Sequence, residues 1–270
     1  MASNFIKVLA ARMVHWPAYM ILAADEETLR NSNPRRYTFG WAGLMILSLF
    51  WGIASIGIWS ACYWLFSRFS EIPSLLPALA ISAFFCMWIY RNGLLAISDI
   101  LLARRQNAKP VMLTLITVGL IIVLISLRGG DSLQDFYLPA SVQWLRPFEK
   151  HFRVLLLAPL WGAWAMMIAP KFCKFSPAIE PAMSAFAGGC GPVVSALTMA
   201  LPLGGSLFYF HFLGWLGIII PLATVISAIG GTILLCRLGG GVSRGSLVAS
   251  NVLTQVVFML AYLAARNAAI

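Results

Sequence analysis

Long apolar runs separated by short polar, basic stretches make up most of this chain. Each run is near the roughly 20 residues that a helix needs to cross a bilayer. Lipid offers no partner to an open backbone group, so such runs must close their own hydrogen bonds as helices. The pattern predicts an all-α, polytopic transmembrane bundle of about seven spans: Trp41–Phe66, Ser74–Leu95, Pro110–Leu127, Val154–Ala169, Met183–Leu203, Phe212–Cys236 and Leu247–Ala264. The fifth is the weakest. Its run AFAGGCGPVVSA is rich in glycine and contains Pro192, which predicts either a broken helix or tight packing on a neighbour through small residues. Six spans plus a re-entrant segment is the nearest alternative.

Residues 1–40 form a separate, amphipathic approach to the membrane, with Phe5, Ile6, Val8, Leu9, Met13, Val14 and Trp16 interspersed with Lys7 and Arg12. Its apolar stretch is short and broken by charge, so no cleaved signal peptide is expected. Residues 41–270 are the transmembrane domain. The segments before span one and after spans two, four and six hold Lys7, Arg12, Arg30, Arg35, Arg36, Arg104, Arg105, Lys109, Lys171, Lys174, Arg237 and Arg244. The opposite side has Arg68, Arg128, Arg146, Lys150, Arg153 and Arg266, half as many. Positive loops stay in the cytoplasm, which predicts a cytoplasmic N-terminus and an outward C-terminus in a cytoplasmic (inner) membrane.

Composition agrees: 60% of the 270 residues are hydrophobic and 10% charged, with a mean hydropathy of +0.86, far from a soluble domain. The net charge of +10 is explained by basic loops against anionic headgroups, so the lipid bilayer is the expected partner and nucleic acid is not. Ten Trp and seventeen Phe suit interfacial belts, and also suit contacts with other membrane subunits. The outward loop from Arg128 to Arg153 is the longest between spans and mixes aromatics with both charges, as interaction loops do.

Candidate chemistry is sparse. Cys62, Cys86, Cys173, Cys190 and Cys236 have no close paired spacing, which argues against zinc or a disulfide framework and for small core residues. His15, His151 and His211 are equally scattered, and His211 fits a headgroup hydrogen bond better than a haem ligand. Arg91 and Asp99 are eight residues apart, on roughly one face of span two, and intramembrane charge marks function by default. The alternative is that Arg91 snorkels and Asp99 sits at the cytoplasmic end beside Arg104 and Arg105. In the loop LGGGVSRGS, Leu238 to Ser246, consecutive glycines fit either an anion-binding nest with Arg244 as counter-charge or a plain helix–helix turn.

Several stretches resemble the cobalamin synthases, the adenosylcobinamide-GDP ribazoletransferases of the cytoplasmic membrane. That family has a signature of histidine, any residue, Asp-Gly-Leu-Ala-Asp, any two, Asp. The stretch YRNGLLAISD, Tyr90 to Asp99, is similar: Gly93, Leu94 and Asp99 match, while the first two aspartates fall on Asn92 and Ala96 and the histidine on Tyr90. A following Asp-Ser-Arg-Ile-Gly run is replaced by KPVMLTLIT, Lys109 to Thr117. In LAPLWGAWAMMIAP, Leu157 to Pro170, Trp164, Ala165 and Met166 match, and an arginine position is Ala163. In the C-terminal run the family's aspartate falls on Gly245 and two helical glutamates on Val252 and Gln255.

The resemblance implies a scaffold whose acidic positions have become neutral. In the intact family those carboxylates would hold Mg²⁺ on a pyrophosphate, which needs clustered hard oxygens. Asp99 alone cannot supply them. The expectation is therefore a non-catalytic structural or accessory subunit, with Arg91, Asn92, Asp99 and Arg244 as a remnant pocket and other membrane protein subunits as partners. Two alternatives stand beside it. One is a divergent active transferase that uses Mg²⁺ through Asp99, and the other is a small-molecule carrier with Arg91 and Asp99 lining a polar path.

Overall fold

The structure, a computed structural model, describes Arg35, Thr38 and residues 40–66, 75–84, 109–127, 150–177, 179 and 181–269. Its helices are α1 (Gly40–Phe66), α2 (Leu75–Phe84), α3 (Lys109–Leu127), α4 (Lys150–Phe172), α5 (Pro181–Gly189), α6 (Pro192–Phe210), α7 (Leu216–Leu238) and α8 (Arg244–Ala269). A 3₁₀ turn, His211–Leu213, joins α6 to α7. No strand forms among the described residues beyond one isolated bridge, Phe175 to Val242. Five segments are long and apolar enough to cross a membrane: Gly40–Cys62, Lys150–Phe172, Pro192–Leu213, Leu216–Leu238 and Arg244–Ala269. This is the architecture of a multi-pass membrane protein.

The spans expected at Pro110–Leu127, Phe212–Cys236 and Leu247–Ala264 correspond to α3, α7 and α8, and the first to α1. Span two is described only through α2, and its remainder lies outside the described residues. The fifth is divided, as its composition allows. α5 stops at Gly189, Cys190 and Gly191 interrupt the helix, and Pro192 opens α6 at a position where its missing N–H costs nothing. Tight packing holds as well, since a Cβ on Gly189 would strike the carbonyl of Thr38. Cys190 sits in the break and is buried. The loop expected from Arg128 to Arg153 ends earlier, because Lys150 to Arg153 already belong to α4.

α4 is the axis of the bundle: 89% of its spanning window is buried. It packs on α8, α1, α6 and α7. Apolar surface alone does not drive helices together in lipid, so close approach at small residues matters more than hydropathy. On one flank Gly52 of α1 meets the backbone of α4, where an added Cβ would lie 2.7 Å from the Leu156 carbonyl oxygen. On another flank Gly162 of α4 receives α8, and a Cβ there would lie 2.6 Å from Asn251 Oδ1 and 2.8 Å from Gln255 Nε2.

Side-chain hydrogen bonds fix the remaining flank. The Trp161 indole N–H donates to Ser206 Oγ at 3.0 Å, and that hydroxyl donates to the Pro202 carbonyl at 2.7 Å. Trp164 donates to the Ser195 carbonyl at 2.9 Å. Rings of Trp161, Phe258, Phe210 and Tyr262 continue the contact from α4 through α8 to α6.

These crossings make one substitution costly and another free. Gly162→Val should lower the thermal midpoint in detergent by an amount equivalent to ~1–3 kcal/mol of overpacking. Gly57→Ala, in α1 with nothing within 4 Å of the new Cβ, should be neutral or stabilising by up to ~1 kcal/mol. Equal midpoints for the two variants would contradict the assigned α4–α8 crossing.

Candidate functional site

Of the four residues of the expected remnant pocket, Arg91, Asn92 and Asp99 lie outside the described residues. Arg244 is the first residue of α8 and is buried. Its position is set by reciprocal capping: the Ser243 N–H donates to Ser246 Oγ at 2.9 Å and the Ser246 N–H to Ser243 Oγ at 3.3 Å.

The glycine loop before it is a turn and not an anion nest. Gly240 and Gly241 have φ of 70° and 127°, conformations that an L side chain rarely adopts. A Cβ on Gly241 would also lie 2.7 Å from the Ser176 backbone nitrogen. Every amide from Gly239 to Ser243 already has an acceptor. Gly239, Gly240 and Gly241 donate to the carbonyls of Leu235, Arg237 and Cys236, closing α7, and Val242 donates to Lys174. Ser243 is taken by Ser246. The run of glycines is thus explained by helix capping and by close approach to residues 174–176.

The polar centre of the bundle is the seam between α4 and α8. Gln255 Nε2 donates to Asn251 Oδ1 at 2.5 Å, and Asn251 Nδ2 contacts Met166 Sδ at 3.3 Å. Both amides are buried, Asn251 fully and Gln255 to 3% exposure. Gly162 is the clearing that admits them. The other positions singled out by the resemblance also face inward: Gly245 and Val252 are buried on α8, and Ala163, Trp164, Ala165 and Met166 on α4. This stretch of α8 therefore packs against its neighbours through neutral groups.

Asn251 escaped the sequence reading, though a signal was present. Ser246, Ser250, Asn251, Thr254 and Gln255 are polar residues in an otherwise apolar helix, recurring at helical spacing.

At the opposite end, cations are buried beside aromatics. Lys150 Nζ lies 5.0 Å and Arg153 Cζ 5.7 Å from the Phe212 ring centroid, and Arg153 Nη1 donates to the Tyr209 carbonyl at 3.3 Å. His151 is in ring contact with Trp59 and Phe152. Arg266 Nη1 donates to the Ser126 and Leu127 carbonyls at 3.3 Å each, capping the carboxyl end of α3. His211 Nδ1 lies 2.8 Å from the Phe208 carbonyl oxygen.

Among the described residues no three His, Cys, Asp or Glu side chains converge. All nine acidic residues of the chain lie outside that set. The described residues therefore offer histidine and thiol donors but no hard carboxylate oxygens, the donors a divalent Mg²⁺ would need.

The seam makes a discriminating prediction. Gln255→Glu puts a carboxylate beside the neutral Asn251 amide, and should lower the detergent thermal midpoint well below that of Gln255→Met. A Gln255→Glu protein as stable as wild type would mean that the seam accommodates charge, as a working ion or phosphate site would. No family model, no curated protein and no solved structure matches the chain.

Proposed function

We propose that this chain is a non-catalytic structural or accessory subunit of the cytoplasmic membrane, built on a cobalamin-synthase-like scaffold and packing against other membrane proteins. The observation that carries this reading is Gln255. It occupies a position where the resembling family has a glutamate, it is 3% exposed, and its amide donates to Asn251. A carboxylate there would demand a cation or a proton, whereas the amide pair needs neither. Gly245 and Val252, two further acidic positions of the family, are likewise packed.

An outward apolar face supports the packing role. Val193, Leu197 and Leu201 on α6 and Ile218, Leu222 and Ile226 on α7 are each more than half exposed. They recur at helical spacing, which suits lipid and partner helices alike.

Seven spans, with the N-terminus inside, fit the helix directions. α1, α3, α6 and α8 run one way and α4 and α7 the other, because Trp59 meets His151, Arg266 meets Leu127, and Ser206 meets Trp161. Lys171, Lys174 and Arg237 are exposed at the end where α4 and α7 finish, while Lys150, Arg153 and Arg266 at the other end are buried. Accessible positive charge thus favours a cytoplasmic location for the first end.

Two measurements test these readings. After gentle extraction from the native membrane, the chain should co-migrate in stoichiometric amounts with a larger membrane complex identified by mass spectrometry. Migration alone or as a homo-oligomer, together with Mg²⁺-dependent transfer from a nucleotide-activated corrinoid, would replace the accessory reading with an active transferase. For orientation, a cysteine at Lys174 should react with a membrane-impermeant maleimide only from the cytoplasmic side, and one at Asn267 only from outside. The reverse pattern would invert the topology.

A further inference from the structure

Cysteine spacing along the chain gives no hint of pairing, yet the fold brings two thiols together. Cys173 follows the last turn of α4, and Cys236 is in the last turn of α7. Both are free thiols, Cys173 half-buried and Cys236 buried. The Cys236 thiol lies beside the Cys173 thiol and the Ser246 hydroxyl. Cys173 Sγ also lies 4.0 Å from the carbonyl oxygen of Thr232, one turn before Cys236.

The backbones on either side are fastened to each other. The Val242 N–H donates to the Lys174 carbonyl at 2.8 Å and the Ser176 N–H to the Val242 carbonyl at 3.0 Å. The Gly241 N–H donates to the carbonyl of Cys236 itself at 2.7 Å. The two sulfurs are therefore held close by a rigid frame, at the bundle end that also exposes Lys171, Lys174 and Arg237.

We propose that Cys173 and Cys236 form a dithiol site that a small-molecule disulfide oxidises to an intramolecular disulfide, with Cys173 as the attacking sulfur and Cys236 as the resolving one. The order follows from access, since a soluble disulfide can reach the half-buried Cys173 and not the enclosed Cys236. The Cys173 thiolate attacks one sulfur of the oxidant, a new S–S bond forms, and the first small thiolate leaves. Cys236, having lost its proton to solvent or to that thiolate, then attacks the Cys173 sulfur and expels the second small thiol. The protein pair is oxidised by two electrons and the small disulfide is reduced to two thiols. The product joins the α4–α5 connection covalently to the end of α7.

The test is incubation of the detergent-solubilised full-length protein with glutathione disulfide, followed by alkylation and peptide mass mapping. Wild type should give a peptide pair linked through Cys173 and Cys236 and lose maleimide labelling at Cys173, with dithiothreitol restoring the label. Cys236→Ser should stop at a stable glutathione adduct on Cys173. Cys173→Ser should leave Cys236 unmodified. A wild-type protein that retains the adduct on Cys173, links Cys173 elsewhere, or keeps the maleimide label at Cys173 would overturn the proposal.

Discussion

A helix enclosed on every side by other helices, within a medium as apolar as its own side chains, is held by proximity and not by escape from water. α4 is in that position. Leu and Ile against lipid tails gain little by exchanging them for a neighbour's Leu and Ile, so association depends on van der Waals contact at short range and on polar groups that find partners. Gly52 and Gly162 supply the first, letting α1 and α8 approach from different sides. Trp161 and Trp164 supply the second, each indole N–H finding an acceptor on α6. Because α4 contacts α1, α6 and α8 through such points, it fixes their register as well.

The same constraint sorts charge from polarity. The middle of the bundle contains amides, hydroxyls and indoles, several of them bonded to each other or to helix carbonyls, as in the Asn251–Gln255 pair and the chain from Trp161 through Ser206 to Pro202. The described cations lie at the ends. Arg266 neutralises the carboxyl end of α3, and Lys150 and Arg153 lie beside the Phe212 ring, where an aromatic face replaces part of the lost hydration. A cation at mid-depth would cost about 2.5–3.5 kcal/mol on insertion scales, which the end positions avoid.

Hydropathy made the helices legible, and composition marked the break at Pro192, because both properties are local to a stretch of chain. What surrounds a helix is not local. α4 has the same kind of apolar sequence as α7, yet α4 is enclosed and α7 presents Ile218, Leu222 and Ile226 outward. The glycine loop was open to two readings for a related reason: its amides are spent on the carbonyls of α7 and on Lys174, partners that only folding supplies. The Cys173–Cys236 contact is of the same type, with the two ends of parallel helices meeting far from each other in sequence. Gln255 is legible in the sequence only as a polar residue in an apolar helix. Its role as one half of a buried amide pair depends on Asn251 one turn away and on the space above Gly162.

Under the accessory reading, that pair bears on how a scaffold of this kind could carry neutral groups where a relative has buried charges. A buried carboxylate is stable only while a cation, proton or donor set accompanies it, so removing the ligand leaves an uncompensated charge in the core. Replacing Glu by Gln keeps the volume and the acceptor oxygen while adding a donor, and that donor can be satisfied within the protein, here by Asn251 Oδ1. Asn251 and Gln255 bond each other within α8, and Asn251 meets α4 through Met166 Sδ, so these contacts at the seam join neutral groups. Under the accessory reading, the neutral positions of α8 are then what permits the bundle to persist as a packing module. Its stability would depend on Gly162 and on the amides above it, and its function on the apolar faces of α6 and α7.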